Sequence, residues 1–215
     1  VCSSDLFSGF WSWADAEPVL RAWAEKIDVR HPVILGGEPL LHPDIVNWIN
    51  GLREIFPNYS GVQVQSNGTR IDCVRGLSDA LDPKEGNWLG ISIHNPNDQD
   101  EIFSRVRNFL GPTVQETQNK DDPIGSDYQF INDQQIKVHA WMSTKFVQSN
   151  IISLPNDKYT LYSSNPDRAH EKCTFRLFKN YHMIRGKIYK CGPVALMPEF
   201  DQQYRSEEHT SELQS

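Results

Sequence analysis

The chain has 215 residues, 38% of them hydrophobic and 23% charged, with a formal net charge of −7 at pH 7. That balance supports a buried core and excludes the basic footprint through which nucleic acid or an anionic membrane surface is bound. No apolar run reaches the roughly 18 residues of a membrane-spanning helix, so neither nucleic acid nor membrane is expected as a partner.

The two ends read differently from the rest. "VCSSDL" (residues 1–6) and "RSEEHTSELQS" (residues 205–215) are translations of complementary stretches of one sequencing adapter, and both are expected to be artefacts outside the fold. The natural part is then a fragment, Phe7 to Tyr204. Setting the ends aside removes Asp5, Glu207, Glu208 and Glu212 against Arg205, which leaves the remainder mildly acidic. It also removes Cys2. Cys73, Cys173 and Cys191 are too few and too scattered for a secreted disulfide framework, so a reducing cytoplasm is the expected setting.

In chain order, Ala16, Val19, Leu20, Trp23 and Ile27 recur at helical spacing, and "PVILG" follows as a short buried strand. After "GGEP", Pro43 suits a first helical position, with Ile45, Ile49, Leu52 and Phe56 along one helix face. "GVQVQSNGT" reads as a strand ending in a turn, Ile71, Val74, Leu77 and Leu81 as a helix, and "NWLGISIH" as a third strand. A further helix is expected from about Asp98 to Leu110. Strands and helices alternating in this way imply βαβ units and a parallel sheet, open or closed into a barrel.

From Gly111 to Gln134 the polar composition predicts a long loop. "QIKVHAWM" restores a strand, with Ile136, Val138, Ala140 and Met142 on one face. Beyond it come short β-like pieces and "FRLFKNYHMIRGKIYKC", which reads as a hairpin. A domain boundary is expected near Lys145, dividing residues 7–145 from residues 146–204. Cys73 fits no motif and is expected to be a small buried residue.

The stretch "HPVILGGEPLLHP" carries the first chemical signal. Ligands of parallel α/β sheets bind outside the carboxyl ends of the strands, where this loop would sit. Gly36 and Gly37 allow close backbone approach, Glu38 supplies an acceptor for an ammonium, and Pro39 stiffens the exit. The plainer alternative is a tight turn with a solvated glutamate.

From Val33 to His94, "VILGGEPLLHPDIVNWINGLREIFPNYSGVQVQSNGTRID" and the strand after it closely resemble radical S-adenosylmethionine (radical SAM) enzymes. In that family one strand ends in Gly-Gly-Glu-Pro and the next in Thr/Ser-Asn-Gly. The resemblance implies a partial (β/α)6 TIM-like barrel. It also implies a 4Fe–4S cluster whose open iron holds the amino and carboxylate groups of S-adenosylmethionine. Gly36, Gly37 and Glu38 would grip the methionine ammonium, Ser66 and Asn67 would stand at the next strand end, and Ser92 and His94 match a position that contacts the ribose. The cluster motif CxxxCxxC is absent from the sequence; the reading of the ends as adapter assigns it to a segment before Phe7.

Cys173 is followed by twelve residues, Gly186, four residues and Cys191. This matches the opening of the auxiliary-cluster domain called SPASM or, in its shorter form, twitch, and the resemblance makes Cys173 and Cys191 iron ligands of a small β-rich segment. Buried free thiols or half of a zinc site are the alternatives. The chemistry implied is one-electron cleavage of S-adenosylmethionine to a 5′-deoxyadenosyl radical that abstracts hydrogen, with a low-potential electron donor and a peptide or protein as substrate. Two other classes fit the same scaffold, a non-catalytic protein binding a small ammonium ligand and a non-redox enzyme acting on nucleotides, though no GxGxxG or GxxxxGK(S/T) loop occurs; a degenerate homologue without the cluster is a further alternative.

Overall fold

The computed structural model of the chain describes residues 9–119, 127–143, 151–153, 159–161, 165–171, 173 and 181–204. The two terminal segments expected to be artefacts lie outside them. The chain divides into two compact units, Phe10–Phe146 and Val147–Ser215, the latter together with Val1–Gly9.

The first unit is a mixed α/β fold on a six-stranded, mostly parallel sheet. Strands β1 (Val33–Ile34), β2 (Gln63–Ser66), β3 (Trp88–Ile93) and β6 (Lys137–Met142) run parallel. β5 (Asp127–Ile131) and β4 (Gln115–Gln118) add antiparallel beyond β6, giving the order β1-β2-β3-β6-β5-β4. Helix α1 (Trp13–Ala24) precedes β1, α2 (Ile45–Ile55) links β1 to β2, the short α3 (Leu77–Ala80) lies before β3, and α4 (Gln99–Leu110) follows it.

Each parallel step moves to the next neighbour in one direction, and right-handed crossovers then set the connecting helices on a single face. Phe103 of α4 packs edge-on against Tyr128 and Phe130 of β5, at ring-centroid distances of 4.8 and 5.0 Å. Strand alternation groups Phe130 with Val64, Leu89, Ile91, Val138 and Ala140 on that face, and all of them are buried. From the helices come Ile45, Ile49, Leu52, Ile102 and Val106, also buried. Burying a side chain of this kind contributes about 1.5–3 kcal/mol, so this one face carries most of the unit's stability.

The sequence reading departs from the fold at five places. "PVILG" is not a buried strand: β1 is two residues long at the edge of the sheet, with Val33 44% exposed and Leu35 just beyond it 54% exposed. Pro43 stands outside α2, which begins at Ile45 behind Asp44. Asp44 is held back by α1, since its Oδ2 accepts from the Trp13 amide at 3.1 Å and its own amide donates to His42 Nδ1 at 2.9 Å. Ile71, Leu77 and Leu81 reach the core from two short turns, not one helix, because Val74 between them is extended. The expected loop from Gly111 to Gln134 holds β4 and β5. β4 is exposed along its whole length, so it carries no apolar period to read. Cys73 is exposed at the end of a 3-10 turn, with Sγ 3.5 Å from Asp72 Oδ1; its neighbour Ile71 takes the core position instead.

The second unit holds a hairpin of β7 (Ile151–Ser153) and β8 (Tyr159–Leu161), helix α5 (Pro166–Glu171), a hairpin of β9 (His182–Ile184) and β10 (Lys187–Tyr189), and helix α6 (Gly192–Tyr204). The β9–β10 turn runs through Arg185 and Gly186, both at positive φ, as two-residue hairpin loops require. The N-terminal part of the expected hairpin, residues 175–180, lies outside the described residues. No described helix is long and apolar enough to cross a membrane.

One buried polar hub closes the amino ends of the parallel strands. Asn87, 2% exposed, donates from Nδ2 to the Ala80 carbonyl at 2.8 Å, and its Oδ1 accepts from the Val62 amide at 2.9 Å and from the Tyr59 hydroxyl. Asn87→Ala leaves a buried N–H and a buried carbonyl without partners, so urea unfolding should show a loss on the order of 3 kcal/mol. Burial pushes the Tyr59 phenol up to about 12 from 10.0. Its raised folded pKa makes its contribution complete below the unfolded value and lost as pH rises through about 12. Stability should therefore fall across that alkaline window in the natural sequence and less steeply in Tyr59→Phe, as followed by unfolding at stepped pH.

Candidate functional site

Because β1, β2, β3 and β6 are parallel, their carboxyl ends share one rim. Glu38 stands on that rim, four residues past β1. It caps the 3-10 turn Pro39–Leu41: Oε1 accepts from the Leu40 amide at 2.9 Å, and Pro39, buried, takes the first position, where its fixed φ suits the turn. The same carboxylate reaches the end of β2. Ser66 Oγ donates to Oε1 at 2.7 Å, and the Asn67 amide donates to Oε2 at 2.7 Å. Three donors from two strand ends thus fix one half-buried carboxylate. An ionised carboxylate offers about four acceptor positions, so acceptor capacity remains on Oε2.

The residues after β2 are shaped around this contact. Ser66 is 2% exposed and shares the helix-covered face with Val64. Its oxygen also accepts from the Gly68 amide at 2.9 Å. Asn67 Oδ1 accepts from both the amide and the hydroxyl of Thr69, at 2.9 and 2.7 Å, closing an Asx turn. Gly68 has φ of 80° and lies under α4, where a Cβ would come 2.9 Å from Ile102 and from Ile91. Ser66 and the Asn67 oxygen are therefore engaged within the chain and position Glu38.

Gly36 is different. It is exposed, its φ is outside the left-handed region, and nothing described lies within 4 Å of where its Cβ would be. Neither conformation nor packing calls for glycine there. Gly37 is exposed beside it.

At the end of β3, Ser92 is buried and His94 is exposed. His94 Nδ1 lies 3.1 Å from the Ser143 carbonyl at the end of β6. A carbonyl only accepts, so Nδ1 carries the proton, and in the neutral ring Nε2 accepts from Ser92 Oγ at 3.4 Å. His94 thereby ties two strand ends together, and Ser92 Oγ supports it. The structure brings Gly36, Gly37, Glu38, Pro39, Ser66, Asn67, Ser92 and His94 to one rim, as two clusters: one around Glu38 and one around His94.

In the second unit the amide of Cys173 donates to the His170 carbonyl at 3.3 Å behind α5, and the Cys191 carbonyl accepts from the Ala195 amide at 3.2 Å at the start of α6. Both are half-buried free thiols. The His182 ring packs 3.3 Å from where a Cβ of Gly192 would lie, and burial holds its imidazole below the ordinary value. Among the described residues no three His, Cys, Asp or Glu side chains are grouped to hold a metal ion.

Sequence reading missed the cluster on the sheet's other face, Trp88, Asp127, His139 and Trp141. Its signal lay in "QIKVHAWM" itself: the alternation that buries Val138 and Ala140 turns His139 and Trp141 the opposite way. No protein-family model matches the chain, and no curated protein matches it.

If Glu38 joins the two strand ends, Glu38→Ala should release both loops. Each charge-assisted bond removed is worth about 1.5–3 kcal/mol, and amide exchange at Leu40 and Asn67 should accelerate by about tenfold or more while Val64 and Ile91 keep their protection. Glu38→Gln, which retains one carbonyl oxygen, should fall between the two. Hydrogen exchange read residue by residue checks this.

Proposed function

We propose that the chain is part of a radical SAM enzyme, built on a (β/α)6 TIM-like partial barrel with an auxiliary-cluster segment of the SPASM or twitch type. The observation that carries the reading is the rim of β1. There a fixed carboxylate with spare acceptor capacity stands beside an exposed glycine that the fold does not require. The winding of the sheet supports it too, since helices confined to one face are what a barrel needs and a doubly wound sheet lacks.

In this reading Glu38 Oε2 accepts a hydrogen bond from the methionine ammonium of S-adenosylmethionine, and Gly36 and Gly37 let backbone come close to it. Ser66 and the Asn67 amide hold the carboxylate in place. His94, anchored on Ser143, faces the ribose from the neighbouring strand end. When bound, the 4Fe–4S cluster supplies the electron that splits the sulfonium and yields the 5′-deoxyadenosyl radical for hydrogen abstraction. Its ligands belong to the CxxxCxxC motif, which the reading assigns to a segment before Phe7. Cys173 and Cys191 would contribute to an auxiliary cluster completed by further ligands. A cytoplasmic low-potential donor and a peptide or protein substrate complete the proposal.

The three protein donors to Glu38 are equally compatible with a second reading. A non-catalytic protein binding a small ammonium ligand, or a homologue lacking the cluster, would look the same at this rim.

The extended reading frame separates them. An upstream CxxxCxxC is expected, and the longer protein, reconstituted anaerobically with iron and sulfide, should release 5′-deoxyadenosine under dithionite while the chain as given releases none. A longer frame without the motif, or a reconstituted protein that makes no nucleoside, would leave only the binding reading. Glu38→Gln in the longer protein should weaken S-adenosylmethionine binding by about tenfold or more, as measured by calorimetry.

A further inference from the structure

The start of α2 accepts three local losses at one place. Asp44 stands where an N-cap residue belongs, yet its side chain makes no capping bond to α2, and its Oδ2 instead accepts from the Trp13 amide of α1 at 3.1 Å. Gly51 lies inside the helix, where glycine is unfavourable, because a Cβ there would overlap the Trp13 indole. Trp48 Nε1 is buried with no hydrogen-bond partner among the described residues, its ring packed among those of Trp11, Trp13 and His42 at centroid distances of 5.7, 5.3 and 6.2 Å. All three concessions favour contact with the residues that lead into α1.

Core burial does not account for this. Phe10 is 60% exposed and Trp11 only half-buried, so the segment before α1 adds little to the core, and it is held by a bond to its backbone. His42 Nε2 lies 3.0 Å from the Trp11 carbonyl, with the Phe10 ring edge-on to the imidazole at 5.0 Å. On its other side Nδ1 meets the Asp44 amide at 2.9 Å. A carbonyl only accepts and an amide N–H only donates, so Nε2 carries the proton and Nδ1 is bare. The two contacts fix the tautomer.

His42 also ends the Glu38 turn. Its amide donates to the Pro39 carbonyl at 2.9 Å, closing the 3-10 turn that the Glu38 carboxylate caps from the other end. One imidazole therefore joins the backbone before α1 to the turn that carries Glu38.

We infer that His42 is a positioning residue for the Glu38 site. Nε2 sets residues 10–12 against the Glu38 turn, and Nδ1 sets the corner from which α2 leaves. The first bond carries the functional role. That role rests on the radical SAM reading, which assigns CxxxCxxC to a segment before Phe7: the flank leads back to that segment, so His42 keeps the cluster side and the ammonium acceptor in one relation to a shared ligand. His42 acts through the backbone and is not itself a catalytic residue.

Two substitutions separate the bonds. Glutamine can reproduce the Nε2 donor and asparagine the Nδ1 acceptor, and both remove the ring, so the contrast between them reads the two bonds alone. In the chain as given, His42→Asn should leave the Asp44 amide protected and loosen Trp11, seen by NMR as lower order parameters of its amide and indole N–H. His42→Gln should do the reverse, with exchange at the Asp44 amide faster by about tenfold and Trp11 still ordered. An unchanged Trp11 in His42→Asn would overturn the proposal. In the longer reconstituted protein, His42→Asn should weaken S-adenosylmethionine binding by about tenfold, and His42→Gln should restore most of it. A residue that merely held the corner of α2 would give the opposite order; that order, or equal losses in the two variants, would overturn the positioning role. Should both variants fail to fold, the unsubstituted chain decides. A slowly exchanging His42 Nε2 proton and a scalar coupling across the hydrogen bond from the Asp44 amide to Nδ1 are expected, and a rapidly exchanging ring proton would overturn the bond to Trp11. If the longer protein with its natural His42 binds no S-adenosylmethionine, the radical SAM reading fails, whereas the response of Trp11 in the chain as given still decides whether His42 positions the flank.

Discussion

The handedness of the chain governs this molecule. A right-twisted strand feeding a right-handed crossover returns beside its predecessor with the helix always on the same side. β1, β2, β3 and β6 are added one after another in a single direction, so the helices accumulate on one face and the other is left to different chemistry. The core, the shared rim of strand ends and the indole-lined face all follow from that winding. Had the order reversed partway, both faces would have been covered and the rim would have been split at a switch point.

Within that frame the structural role of the Glu38 carboxylate does not conflict with the ligand role proposed for it. Three chain donors fix its position, which removes the freedom a long side chain would otherwise lose on meeting a ligand. The same donors lie on the chain side and leave Oε2 able to accept from outside. A glutamate that merely capped its turn would need only the Leu40 amide. The reach across to Ser66 and Asn67 joins two crossover units at their strand ends. That coupling is also why the SNG turn is built so tightly, with Gly68 under Ile102 and Ile91.

Elements with a buried apolar period were legible in the sequence: α1, α2, α4, β3 and β6 all lie where spacing placed them, because burial and periodicity are one signal. β4 was illegible for the complementary reason, being an edge strand with every residue exposed. The start of α2 was misplaced because the capping rules are local, whereas the Asp44 and His42 contacts that set it depend on α1, some thirty residues away. Cys73 was misjudged because a small residue next to an apolar one has no period of its own. Gly36, Gly37, Glu38 and Pro39 could be named from a strand end, whereas Ser66, Asn67, Ser92 and His94 were named only through the family resemblance. Which of them point outward and which are engaged inside could not be named, since Ser66 and Ser92 look alike in sequence and fall on opposite faces of adjacent strands. The His139–Asp127 pair joins strands whose antiparallel register no local pattern reveals.

Glycines sharpen the distinction between what folding needs and what it does not. Gly68 is required twice over, by its positive φ and by the side chains above it. Gly90 is closely approached by two side chains, the Trp141 ring and the Gln63 amide, so its cost to the strand makes room for both. Gly36 is required by neither conformation nor contact within the described residues. An exposed glycine in such a place enlarges the unfolded ensemble and gives the folded state nothing in return, so a chain selected for stability alone would replace it. Its position next to a carboxylate already fixed by three donors fits the proposed reading, in which a ligand of Glu38 would have to come close to the backbone that precedes it.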